Sequence, residues 1–222
     1  MSDFWAPLAR RAFLAFISAA LLTAAPVANG FAASRATPAK LTDEQKADVA
    51  KIETYLNSIR TLRAHFLQVA DNGATDGGTV LISRPGRMRI DYDPPSPHLI
   101  IADGTFLIYH EKKLKQTSYL PLGSSLAGFL VRDTIRLSGD VTVTAFEHQK
   151  GVMRATLKKT DEPEAGELTL VFSDNPLQLR QWTVTDAQGG AIRITLVNPE
   201  FGVPLDRKLF VFDAPERERL DR

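Results

Sequence analysis

Cysteine is absent from all 222 residues. No disulfide can staple the fold, so stability must come from a buried core alone. The same absence excludes a lipid anchor on a cysteine at a signal cleavage site. A charge of one sign is lacking as well. Without residues 1–33, which hold Arg10, Arg11 and Asp3, the chain has 25 basic and 25 acidic residues. Such neutrality argues against nucleic acid as a partner. A membrane span is also missing. The apolar run from Ala12 to about Ala28 is short and rich in alanine, where a span needs about 20 strongly apolar residues.

Catalytic sets are the fourth absence. His65, His98, His110 and His148 fall on separate predicted strands, with no HxH or HxxxH spacing for a metal. Gly123-Ser124-Ser125 lacks the second glycine of a nucleophile elbow, so a helix cap is its better account. Glu162 and Glu164 flank Pro163 in a charged loop and read as solvated. The chain is therefore expected not to be an enzyme and to need neither metal nor cofactor.

What is present begins with an export signal. Arg10-Arg11 precedes the apolar run, and the small-residue stretch ANGFAAS closes it. Residues 1–33 read as a cleaved signal, with cleavage near Gly30 to Ala33. RRAFLA also fits a twin-arginine signal, but no cofactor motif requires folding before export, which favours the general secretion route. The expected product is exported and soluble.

Residues 34–40 form a polar linker, and 41–222 a single domain. Thr42 and Gln45 make a capping box, and Val49, Ile52, Tyr55, Leu56 and Ile59 follow at helical spacing. From Thr61 the period changes to two. Leu62, Ala64 and Phe66 open a first strand, and residues 71–78 read as a mobile glycine-rich connection. Strands are then predicted over 79–83, 87–92, 98–102, 105–109, 113–119, 141–146, 151–158, 167–172, 178–185, 191–197 and 208–212. That makes roughly ten to twelve short strands, the pattern of an antiparallel sheet curling on itself. The segment LGSSLAGFLVRD interrupts them. Leu126, Phe129 and Leu130 share a helical face there, with Ser124 or Ser125 as cap.

The apolar stripes Met88, Ile90 and Tyr92, Phe106 and Ile108, Trp182 and Val184, and Ile192 and Ile194 read in two ways. They are either an ordinary core or the lining of a ligand cavity roofed by the mid-chain helix.

Several residues then stand in a recognisable order. They are Phe66 and Gln68 in HFLQ, Gly78, Arg84-Pro85, Arg89, Tyr92, Pro94 or Pro95, and an apolar strand from Leu99 ending at Asp103-Gly104. This order resembles the LolA family of periplasmic outer-membrane lipoprotein carriers. The resemblance implies a mainly β fold with helices: an unclosed antiparallel half-barrel covered by an N-terminal amphipathic helix and a mid-chain lid. It implies a monomer in the periplasm whose cavity takes acyl chains of lipoproteins. The partners it implies are an inner-membrane ABC-type release complex and an outer-membrane acceptor or the outer membrane itself. The arginine before the proline, here Arg84, would latch the lid. Burying each methylene stabilises by ~0.8 kcal/mol, so the chains of a lipoprotein represent on the order of 30 kcal/mol in water. A carrier must hide them. A periplasmic sensor of envelope stress, binding lipid or peptide in a similar half-barrel, is the competing expectation.

Overall fold

The computed structural model describes residues 34–124 and 126–213. Its helix α1 spans Asp43–Ser58. Thr42 caps it, accepting from the Gln45 amide at 3.2 Å while the Gln45 side chain accepts from the Thr42 amide at 3.0 Å. Ile52 and Leu56 on its inner face are buried.

Eleven strands follow: β1 (Thr61–Ala70), β2 (Thr75–Ser83), β3 (Arg87–Tyr92), β4 (His98–Asp103), β5 (Phe106–Glu111), β6 (Gln116–Pro121), β7 (Val141–Gln149), β8 (Val152–Lys159), β9 (Gly166–Ser173), β10 (Gln178–Asp186) and β11 (Ala191–Phe201). They form one antiparallel sheet in the order β6-β5-β4-β3-β2-β1-β11-β10-β9-β8-β7. Every neighbour is a sequence neighbour except at the seam between β1 and β11. The sheet does not close, because β6 and β7 are its two edges. Register shifts in β1–β11, β7–β8 and β9–β10 are the irregularities that bend strands. One apolar cluster joins α1 to residues of β1–β3 and β7–β11. The sheet therefore wraps round the helix.

The glycine-rich stretch before Thr79 is not a loop, since β2 already begins at Thr75. Gly78 sits between Phe66 and Tyr92 in the ladder. A Cβ there would lie 2.0 Å from the Asp91 carbonyl oxygen and 2.9 Å from the Phe66 ring. The missing side chain is what lets the Phe66 and Tyr92 rings meet edge-to-face at 5.2 Å.

Two further expectations change. The mid-chain segment is not an α-helix but two short 3-10 helices, Leu122–Ser124 and Leu126–Val131. The predicted strand over 208–212 is instead a 3-10 turn, Arg207–Phe210, with Asp206 capping the Lys208 amide. The linker is partly tied down, with the Ala36 and Ala39 amides donating to Thr160 and Val143 carbonyls. The proposed signal, residues 1–33, and the tail from 214 lie outside the described residues, as does the candidate cap Ser125.

Candidate functional site

Topology alone makes a cover. β6 and β7 are consecutive in the chain but occupy opposite edges of the sheet, so residues 122–140 must cross its mouth. Leu126, Phe129 and Leu130 of this crossing segment are buried, and Phe129 is 0 % exposed. They belong to the same apolar cluster as the sheet interior and α1. Gly128 is pressed against the first turn of the segment: a Cβ there would lie 2.2 Å from the Leu122 carbonyl oxygen.

The register decides which predicted lining residues face this interior. Met88 pairs with Ala102, Ile90 with Ile100, and Tyr92 sits beside Gly78. Trp182 pairs with Ile194, and Val184 with Ile192. All of these apolar residues pack in or against the central cluster. Phe106 and Ile108 do not. Ile108 pairs with Ile101, and that row continues to Arg89 on β3, while Met88 and Ile90 point the other way. Ile108 is buried in a separate small cluster with Leu99 and Ile101. Phe106 is 39 % exposed. Both strands carry apolar residues on both faces, so alternation by itself could not tell inside from outside.

Arg84 joins the cover to the helix. It follows β2 directly and is only 7 % exposed. Its Nε donates to the Arg132 carbonyl at 2.6 Å, and Nη2 to the Asp133 carbonyl at 2.9 Å. Nη1 donates to the Ile59 carbonyl at 2.9 Å and also to the Leu56 carbonyl. The last two acceptors belong to the C-terminal end of α1, where helix carbonyls lack partners and the dipole is negative. Among the described residues no carboxylate touches the guanidinium directly. Burial lowers its pKa, Arg60 adds to this and Asp133 opposes it, yet a guanidinium stays charged. A buried cation is thus held by carbonyl dipoles from two elements at once.

Two α1 side chains extend this fastening. Asn57 pairs with the backbone of Ile135, donating to its carbonyl at 2.8 Å and accepting from its amide at 2.9 Å. Glu53 accepts from the Leu137 amide at 2.7 Å. Gly86 donates to the Val131 carbonyl at 2.6 Å. Glu53 and Asn57 were not foreseeable as cover contacts. Their spacing of four places them on one helix face, but polar residues beside an apolar stripe ordinarily face water.

Beside the Arg84 guanidinium, a cavity of ≈ 20 Å³ remains among Leu56, Leu62, Ile82, Arg84, Leu130 and Leu179. That is room for about one water. That cavity is too small for an acyl chain. One polar pair lies in this interior: Tyr92 donates to Gln68 Oε1 at 2.7 Å, and burial pushes the phenol pKa up.

A separate charged cluster pins the first half of α1. Asp48 is 3 % exposed. It accepts from Lys51 at 3.0 Å and lies 2.8 Å from His148 Nδ1, whose Nε2 is 3.2 Å from Asp174. Burial raises the Asp48 pKa, but its bonds to Lys51 and His148 outweigh this and hold it below the ordinary value. The hydrogen bond to Asp48, with help from Asp174, raises that of His148. Among the described residues no group of three or more His, Cys, Asp or Glu could hold a metal ion.

Residues 57–213 match the family model of the outer membrane lipoprotein carrier protein LolA. An outer-membrane lipoprotein carrier protein of Methylococcus capsulatus is 26 % identical over 174 residues, covering 75 % of this chain and 83 % of the relative. One from Legionella pneumophila is 30 % identical over 175 residues, covering 74 % and 85 %. Among solved structures, a LolA superfamily protein of Nitrosomonas europaea covers 74 % of this chain and 97 % of its own at 13 % identity and a TM-score of 0.43.

Proposed function

Because the chain belongs to the LolA family of outer membrane lipoprotein carrier proteins, we propose that it is a periplasmic chaperone that shields lipoprotein acyl chains during transit. The observation that carries this reading is an apolar interior closed by a crossing segment that polar bonds fasten at one end. A core built only for stability has no need of a buried cation at the seam of its cover. A carrier does: the interior must be hidden when empty and exposed when loaded.

The cycle follows from the residues. When the cover swings away, Phe129 and Leu130 leave the interior. Met88, Ile90, Tyr92, Trp182, Val184, Ile192 and Ile194 then line a slot for acyl chains. Each methylene buried returns ~0.8 kcal/mol, which offsets the broken Arg84 bonds and the exposed cover. Release runs in reverse, with Arg84 recapturing the carbonyls as the chains depart. No bond is made or broken covalently. In this reading residues 1–33 are the export signal, and 41–222 the carrier domain. An inner-membrane ABC-type complex loads the chain, and an outer-membrane acceptor or the membrane itself unloads it.

Native mass spectrometry of the protein purified from its own periplasm tests the reading. A bound triacylated lipoprotein, displaced stoichiometrically by detergent, is the expected result. A peptide as the sole bound species would replace the carrier with a sensor.

A further inference from the structure

The outer face of the sheet carries a second concavity. It is a groove of ≈ 790 Å³ between the β4–β6 surface and the C-terminal strap that holds Phe210 and Phe212. Ligand sites span ~300–1,000 Å³. Its walls are aromatic: Phe106 and Tyr119 meet edge-to-face at 6.1 Å, and Tyr119 and Phe212 at 6.4 Å.

Two arginines line the same groove, Arg87 and Arg207. Arg87 stands opposite Asp103 in the ladder. That carboxylate is turned inward along its own chain, where Oδ1 accepts from the Thr105 and Phe106 amides at 2.8 Å each. The neighbouring Arg89 is already used, on Asp91 at 3.1 Å and on the Leu209 carbonyl at 3.0 Å. Among the described residues neither Arg87 nor Arg207 makes an ion pair. Two guanidiniums without an ion pair thus stand beside Phe106, which is 39 % exposed, and the half-buried rings of Tyr119 and Phe212.

We propose that this groove docks an acidic peptide segment with an aromatic anchor, presented by a partner protein. Guanidinium forks take carboxylates in a bidentate fashion, and a ring or branched side chain fills the space between Phe106 and Phe212. Arginine and aromatic residues are the types on which interface affinity concentrates. A lipid chain fits less well. Thr105, Asp103 and the two arginines interrupt the apolar wall, and an acyl chain needs a continuous one. The contact area is small, so binding is weak and transient.

The position matters for the cover. The Thr105 carbonyl accepts from the Leu122 amide at 2.9 Å, where the crossing segment begins. Gly86, beside Gly104 at this corner, donates to Val131 midway along the segment. A docked peptide therefore sits next to two of the bonds that hold the cover. The proposal does not depend on what the interior holds.

The test is fluorescence polarisation with a labelled hexapeptide of alternating Glu and Trp, on the mature protein. Saturable binding is expected, weakening with salt and falling by roughly tenfold in Arg87→Glu/Arg207→Glu. Arg207→Glu alone, at an exposed position, gives a smaller loss with an unchanged melting curve. Uptake of a fluorescent acyl probe stays at the wild-type level in both variants. Absence of saturable binding overturns the proposal, as does equal binding of the same peptide with Lys for Glu. Binding to phosphatidylglycerol vesicles without binding to the peptide overturns it too, in favour of a membrane contact. Failure of the wild-type protein to take up the acyl probe would instead count against the carrier reading, leaving the groove untouched.

Discussion

Replacing Arg84 by leucine should convert a carrier that releases cargo into one that keeps it. In the closed state the guanidinium serves carbonyls of Leu56, Ile59, Arg132 and Asp133. Hydrogen bonds from a charged donor contribute about 1.5–3 kcal/mol each. Several of them together are opposed by a desolvation cost of several kcal/mol for the buried ion. The net stabilisation of closed over open is then about 3 kcal/mol. Leucine removes it and takes this donor from all four carbonyls, of which Leu56 keeps the Ile59 amide and Asp133 keeps Arg60. The closed state loses about 2–4 kcal/mol relative to the open one, a factor of roughly 30 to 1,000. A ligand that binds only the open form feels the closed form as a reduction of its affinity. Arg84→Leu should therefore load an acyl probe at least as tightly as wild type and release it slower by a similar factor. Stopped-flow transfer of the probe to acceptor vesicles measures the rate. Hydrogen exchange over 126–131 reports the opening directly and should accelerate by the same order. Arg84→Lys keeps the charge but not the fork and should fall between. Wild-type release with wild-type exchange protection in Arg84→Leu would refute the latch.

Asn57→Ala leaves the Ile135 amide and carbonyl without their shared partner, so exchange at Ile135 should quicken before the global melt moves by more than a few degrees. Gly78→Ala forces a methyl against the Asp91 carbonyl and the Phe66 ring; a loss of about 2–4 kcal/mol is expected in urea unfolding, in the range of overpacked or strained sites. Stability should also depend on pH through His148. Its folded pKa lies above the ordinary 6.5, so its contribution is complete below that value and is lost as pH rises through the raised folded pKa. Asp48, held below 3.8, contributes above that value and loses its share as pH falls through its lowered folded pKa. Thermal melts across pH should show the alkaline decline, and His148→Gln should abolish it and also shrink the acid limb, because His148 helps hold the Asp48 pKa down.

Most of the sheet is legible in the sequence, because a strand with one buried face must alternate. β3 with Met88, Ile90 and Tyr92 shows this cleanly. α1 is legible for a different reason, since Thr42 and Gln45 announce its start through a local hydrogen-bond pattern. The site is only half legible. Arg84 stands out through its place in a family pattern, but its partners are backbone carbonyls, which no side-chain motif encodes. Asn57 acts on residues 78 positions away, and nothing local marks it. Phe106 and Ile108 look like Met88 and Ile90 in isolation. Only the register between β4 and β5 sends them outward, and register is a property of pairs. The mid-chain segment reads as an α-helix from the spacing of Leu126, Phe129 and Leu130. Its two 3-10 turns bring Gly128 against Leu122, a closeness that spacing does not foretell.

The seam between β1 and β11 has a consequence for how the molecule comes into being. Each arm of the sheet is a chain of local hairpins that can form as soon as it emerges. The seam joins residues as far apart as Leu62 and Phe201, and such distant pairings are the slow part of folding. Until the C-terminal strand has been delivered, the two arms are unconnected and the interior has no back wall. An incomplete chain therefore has no pocket in which to trap a lipid.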